Sequence, residues 1–403
     1  MSTALQEAAP ELSSTAPSGR VSLPRFVGLD ALRGIAALVV VILHYNLFVW
    51  NDINHTTLIG RSSGFLAVDF FIVLSGFVLA HAFYERPGFD FWDFFKRRVF
   101  RFWPLHVVTL LVVVGTLFVA HEKFRFDDFL LNLFLIHNLG FGDAALAFNA
   151  PSWSLSVELA VNVIVGLVLL AVPNRFLNAL LLLTLALFGG AVAFSTPAGL
   201  NDNAGVAYGF LNIGLMRGLL DFPIGILTYR LYLARREQLA RVTDKAGWLV
   251  GLLLAVFLAS FYLPESSHGD FLFIPFYALL VLLIAQPGAF WFSQLSRIRL
   301  FGDISFALYL VHWPIERIVM EVFPHPAAFV PGSQPIVYWA GLLVIVALAV
   351  GVAWTVHTKF EQPLYARLVR KWCNRASNTR RLPGIIADFA RHMFLFRHKT
   401  PQP

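Results

Sequence analysis

Arg33 and His44 stand eleven residues apart in one apolar run, Phe26 to Asn46, that is long enough to span a bilayer. At about 3.6 residues per turn this spacing is almost three full turns, so both side chains leave one helix face, roughly 16 Å apart along it. A guanidinium or an imidazole at hydrocarbon depth costs roughly a few kcal/mol unless it is paired or faces a cavity. The face carries a fixed cation toward one end and a titratable ring toward the other. That is the pattern of a polar site running through a membrane.

Other residues repeat the pattern. Ser154, Glu158 and Asn162 recur every four residues and form a polar stripe on one helix. Ser305, Tyr309, His312 and Glu316 step by 4, 3 and 4 and form another, interrupted by Pro314, which should kink the helix. Such stripes face the bundle, because lipid would leave their donors and acceptors unpaired. The plain alternative is helix–helix hydrogen bonding, strongest for the serines, with His312 divided between packing and site lining. Asp69 sits among aromatics, either as a helix N-terminal charge or as a partner orienting His44. Asp30 is one turn before Arg33 and reads as its local ion-pair partner. Arg98 and Arg101, three apart at a span entrance, suit phosphate clamping, whereas Lys96 and Arg97 read as membrane anchors.

The elements that must position these groups follow from composition. The 403 residues are 58% hydrophobic and 14% charged, with a mean hydropathy of +0.68; soluble domains carry about a quarter charged residues. The expectation is an all-α membrane protein of about ten transmembrane helices, near 27–49, 63–84, 102–121, 153–173, 178–196, 208–232, 247–264, 271–286, 303–323 and 336–357. The apolar stretch near 129–140 is too short to cross and reads as re-entrant or interfacial. With it excluded, the basic segments around Lys96–Arg101, Arg235–Lys245, Arg297–Arg299 and the tail share one side, which puts both termini in the cytoplasm. Residues 1–24 read as a disordered leader, 25–365 as the membrane domain and 366–403 as a basic tail. That tail holds nine Lys/Arg against Asp388 alone, which favours anionic lipid over nucleic acid as its contact, with 384–396 as a candidate interfacial helix. The lone Cys373 excludes an internal disulfide, and no metal-ligand spacing or nucleotide-binding glycine loop is present.

Counting residues from the membrane surfaces puts Arg33 in the cytoplasmic half and His44, Asp69 and Glu158 at one level in the outer half. Arginines at the cytoplasmic entrance of a path that ends at a histidine point to a long cytosolic donor with a phosphorylated end, and acyl-coenzyme A fits.

The run Leu29 to His44, an R-x10-H signature, resembles the acyltransferase-3 family of integral membrane O-acyltransferases. Supporting matches are Gly64 to Phe77, Arg98-x-x-Arg101, Ser152 to Glu158, Leu308 to Pro314 and Phe360-Glu-Gln-Pro363. The resemblance implies about ten helices and transfer of acetyl or longer acyl groups from acyl-CoA to hydroxyls, usually of surface polysaccharide or lipid-linked sugar. Under it the family histidine is His44, the first-span arginine is Arg33 and the arginine pair is Arg98 and Arg101. Some members append a periplasmic hydrolase-like domain; the sequence shows none, so direct transfer or a separate partner is expected.

His44 is then expected to act as general base on the acceptor hydroxyl, or to carry the acyl group itself. Glu158 or Asp69 would orient its ring, and Tyr309, His312 or Ser154 would face the oxyanion. No metal is called for. The loops at 50–62, 122–152 and 324–335 would shape acceptor choice, with Trp50, His55, Phe141 and Phe148 as stacking candidates. The main alternative is a secondary transporter of a saccharide or acylated intermediate, since apolar spans and intramembrane charges suit transport equally.

Overall fold

The computed structural model describes residues 25–50, 63–85, 90–141, 146–195, 200, 206–208, 211–245, 247–261, 269–286, 294–295, 297–322 and 335–373. The leader, most of the basic tail with its candidate interfacial helix, and His55 lie outside the described residues.

The described chain is dominated by α-helices: α1 (Val27–Trp50), α2 (Leu66–Glu85), α3 (Phe91–Val119), the short α4 (Phe126–Leu133), α5 (Trp153–Ala171) and α6 (Asn174–Ser195). A small antiparallel hairpin pairs β1 (Val206–Tyr208) with β2 (Leu211–Asn212). Then come α7 (Ile213–Lys245), α8 (Gly247–Ser260), α9 (Phe273–Ile284), α10 (Arg299–Val322), α11 (Pro335–Val356) and α12 (Gln362–Trp372). The protein is a multi-pass helical membrane protein. Each of the ten expected spans coincides with a helix. By length and apolarity, however, six helical stretches among the described residues can cross a membrane, or seven if α7 and α8 form one broken span. α9 is short, and α10 carries five charged side chains, which is why these two fall outside that test.

Two boundaries differ from expectation for physical reasons. α3 begins at Phe91, well before the expected 102, because Asp90 caps it, accepting from Trp92 N at 2.8 Å and Asp93 N at 3.1 Å. The basic patch Lys96–Arg101 is therefore helical and projects into the bundle from a fixed frame. After α11 the chain makes a π-turn over His357–Glu361, in which Gln362 N–H reaches back to His357 O. Pro363 follows and has no N–H to continue the regular ladder. The stretch near 129–140 is the eight-residue α4 followed by turns, too short to cross alone.

Two close helix pairs build the scaffold. α1 and α10 run in the same direction, since Arg33 meets Ser305 near one end and His44 meets His312 near the other. A Cβ on Gly34 would strike the backbone of Phe301, and one on Gly302 would strike the Asp30 carbonyl, so the glycines set how near the two backbones come. α2 and α7 pair in the same sense, with Gly76 and Gly225 facing at backbone distance.

Candidate active site

The His44 ring lies 3.0 Å from His312, Nδ1 to Nε2, with the planes 24° apart. His312 Nδ1 faces the Leu308 carbonyl at 3.1 Å. A carbonyl only accepts, so His312 Nδ1 carries its proton and, in the neutral ring, Nε2 is an acceptor. His44 must then donate through Nδ1, a role that also suits its hydrogen bond to the Val40 backbone. The consequence is chemical: the lone pair of His44 is on Nε2. Tyr45 locks the arrangement by donating to the His312 carbonyl at 3.0 Å, and Trp313 packs edge-on against His44.

Below this pair lies a cavity of about 120 Å³ lined by Arg33, Arg98, Arg101, Ser75, Glu158 and Tyr309 among others. It shares Arg33, Leu74, Val78 and Arg101 with a second cavity of about 400 Å³ that reaches Arg25, Asp30 and Asp303. Together they make a corridor toward the N-terminal end of α1. Three guanidinium groups and one carboxylate line the inner cavity, a surplus suited to a polyanion. Arg33 is held by Ser305 Oγ, Gly302 O and Asp30, each at 3.0 Å, so it also ties α1 to α10. Arg101 pairs with Glu361 at 3.3 Å, and Glu361 in turn accepts from His357 Nδ1 at 3.0 Å within the π-turn. Glu361 was legible only as part of the closing motif.

Glu158 does not orient His44. It accepts from Ser75 and from Arg98, the latter at 3.4 Å, inside the arginine cavity. The expected common level fails because α5 starts deep in the bundle. Its 3₁₀ entrance, Ala150–Ser152, is fastened by Tyr309, which donates to the Pro151 carbonyl at 2.8 Å. Depth counted from the membrane surface therefore placed Glu158 too far out.

Asp69 is corrected likewise. It faces α7, where Arg217 grips both carboxylate oxygens at 2.9 and 3.0 Å, and both side chains are fully buried. Arg217 and its neighbour Asp221, one turn on, were missed. Both lie in the 208–232 apolar run, where an ionisable group is as costly as Arg33 is in the first span.

The three oxyanion candidates have their protons engaged within the protein. Ser154 Oγ and Tyr309 Oη are 2.6 Å apart, and both reach the Pro151 carbonyl; His312 donates to Leu308. Phe148 is buried in a small cluster with Phe124, Phe129 and Trp313, whereas Phe141 is exposed. Trp50 ends α1. Among the described residues no three His, Cys, Asp or Glu side chains group as metal ligands.

A family model described as an acyltransferase domain, acyltransferase 3, matches residues 26–358. The chain belongs to the acyltransferase-3 family. Relatives include YrhL of Bacillus subtilis, named as a candidate peptidoglycan O-acetyltransferase, 28% identical over 72% of this chain and 48% of its own length. BcsY of Komagataeibacter xylinus, named as a candidate membrane-bound transacylase, is 26% identical over 71% of this chain and 72% of its own. The O-acetyltransferase OatA of Staphylococcus aureus is 24% identical over 82% of this chain and 56% of its own. The chain thus spans about half the length of the Bacillus and Staphylococcus proteins. Family membership favours the enzyme over the transporter.

Proposed function

We propose that this acyltransferase-3 protein moves an acetyl or related acyl group from cytoplasmic acyl-CoA to a hydroxyl of a surface polysaccharide or lipid-linked sugar. The observation that carries the reading is His44 Nε2, a lone pair left free by the ring's bond to His312, above an arginine-lined corridor. Arg33, Arg98 and Arg101 would bind the phosphates of the donor, and guanidinium forks fit phosphate well. On the positive-inside pattern their end would face the cytoplasm of a bacterial inner membrane, and the basic tail would lie on anionic lipid.

In the transfer, the acceptor oxygen attacks the thioester carbon while its proton passes to His44 Nε2. The C–S bond then breaks, the thiolate takes that proton, and free CoA and the ester result. His312 is a positioning residue here: by accepting from Nδ1–H it fixes the tautomer and favours the transient imidazolium. The glycan acceptor is taken from the name of the Bacillus relative, a candidate peptidoglycan O-acetyltransferase.

The test is acetyl transfer by purified, reconstituted protein from radiolabelled acetyl-CoA to surface polysaccharide that has been de-esterified with mild base. The wild type should label the glycan and release CoA in equal amounts, and His44→Ala should do neither while keeping its membrane level. Near-normal transfer by His44→Ala would overturn the reading.

A further inference from the structure

Beyond His44, toward the C-terminal end of α10, three buried polar atoms have no hydrogen-bond partner among the described residues: Asn149 Oδ1, Trp313 Nε1 and Glu316 Oε2. Asn149 is 1% exposed and Glu316 8%. One backbone feature fixes the place of Asn149. Pro314 has no N–H, so the Leu310 carbonyl loses its helical donor. Asn149 Nδ2 supplies the replacement at 3.0 Å, which explains the amide nitrogen's position and leaves its oxygen unused. Arg317, the nearest cation in sequence, is turned away from Glu316 and binds Glu122 at 3.0 Å.

The polar stripe of α10 singles out Glu316. Ser305 meets Arg33, Tyr309 meets Ser154, and His312 meets His44. Glu316, one turn beyond His312 and about 6 Å along the axis, is the rung with a carboxylate oxygen that meets nothing. Trp313, between them, stacks its edge on His44 and lies in the cluster with Phe148. Buried polar atoms are paired in nearly all folded proteins, and unpaired ones gathered at a reactive group call for a ligand that supplies the partners.

We infer that Trp313, Glu316 and Asn149 form the subsite that holds the acceptor sugar against His44. One N–H donor and two oxygen acceptors complement a group of hydroxyls, each able both to donate and to accept. The indole and phenyl rings offer apolar surface to the C–H face of a pyranose. Glu316 and Asn149 accept from hydroxyls flanking the reacting one, and Trp313 donates to a ring substituent. The inference rests on the acyl-transfer reading and assigns the acceptor side of it.

The experiment measures both Michaelis constants of the reconstituted full chain, with acetyl-CoA and the de-esterified polysaccharide as substrates, for Glu316→Gln, Glu316→Asp, Trp313→Phe and His44→Ala. Loss of one hydrogen bond to a charged acceptor corresponds to about tenfold or more. Glu316→Gln should therefore raise KM for the polysaccharide about tenfold and leave KM for acetyl-CoA and the melting temperature unchanged. Glu316→Asp should recover part of the loss, and Trp313→Phe should raise the same constant severalfold. Wild-type acceptor constants in Glu316→Gln and Trp313→Phe, with His44→Ala inactive, would overturn the subsite and spare the parent reading; the atoms would then be satisfied by water only. A parallel rise in both constants, or a fall in melting temperature, would assign Glu316 to the fold and also overturn it. An active His44→Ala would sink the parent reading instead.

Discussion

His44 Nδ1 and His312 Nε2 face each other at 3.0 Å, and the Leu308 carbonyl on the far side of His312 decides which ring donates. The pair resembles a catalytic dyad in which the carboxylate position is filled by a neutral ring. A neutral acceptor fixes the tautomer but stabilises an imidazolium less than a carboxylate would. His312→Ala should lower kcat by about 10- to 100-fold, less than the loss of general-base catalysis, about 10²–10⁴-fold, expected for His44→Ala. His312→Gln, which can still accept from Nδ1–H, should retain more activity than His312→Ala. Steady-state kinetics of the three variants check the order; equal losses in His312→Gln and His312→Ala would contradict the hydrogen-bond role.

The arginines should separate by what each holds. Arg101 is ion-paired with Glu361 at 3.3 Å and Arg98 with Glu158 at 3.4 Å, both long enough to yield to phosphate oxygens. Arg101→Ala and Arg98→Ala should each raise KM for acetyl-CoA roughly 10- to 100-fold, the equivalent of about 1.5–3 kcal/mol for a hydrogen bond to a charged group. Lysine at either site should restore only part of this, because it lacks the planar fork. Arg33→Ala should in addition lower the melting temperature, since Arg33 ties α1 to Ser305 and Gly302 of α10. Titration of acetyl-CoA against each variant provides the constants.

How much of this was legible in the sequence depends on whether a feature is local. The shared face of Arg33 and His44 and the stripe Ser305–Tyr309–His312–Glu316 follow from helical spacing alone, and the helices bear them out. Neighbours across helices are another matter: periodicity says which residues share a face, not which helix that face meets. Glu158 and Asp69 were read by depth, yet depth depends on where a helix starts. α5 starts beside Tyr309, inside the bundle, and Asp69 faces an arginine 148 residues away. The π-turn that carries Glu361 depends on a ladder shift before Pro363 that composition does not encode.

The Asp69–Arg217 pair makes the reassignment testable. Both groups are fully buried, and Asp221 beside them is the one carboxyl left to Arg217 when Asp69 is removed, so breaking the pair costs up to about 3–5 kcal/mol. Asp69→Ala should sharply reduce thermal stability in detergent and the amount of protein reaching the membrane. Folded protein that survives should keep kcat and both KM values within a few fold of wild type. If Asp69→Ala folded normally but lost kcat, Asp69 would belong with the chemistry after all.

Tyr309 offers the sharpest choice between chemistry and scaffold, because its hydroxyl lines the inner cavity yet is fully engaged. It donates to the Pro151 carbonyl at 2.8 Å and accepts from Ser154 Oγ at 2.6 Å, fastening the first turn of α5. An oxyanion donor would have to surrender that bond in the transition state, and its removal would cost about 10²–10³ in kcat. A fastening hydroxyl loses only its hydrogen bonds, about 1 kcal/mol each. Tyr309→Phe should therefore lower thermal stability modestly and leave kcat within about fivefold of wild type, a window well below the oxyanion loss. Ser154→Ala should behave the same way, and the double variant should show less than additive destabilisation, because the two hydroxyls share one bond. Thermal melts and kcat measured on the same preparations distinguish the roles, and a hundredfold fall in kcat with an unchanged melt would return Tyr309 to the oxyanion.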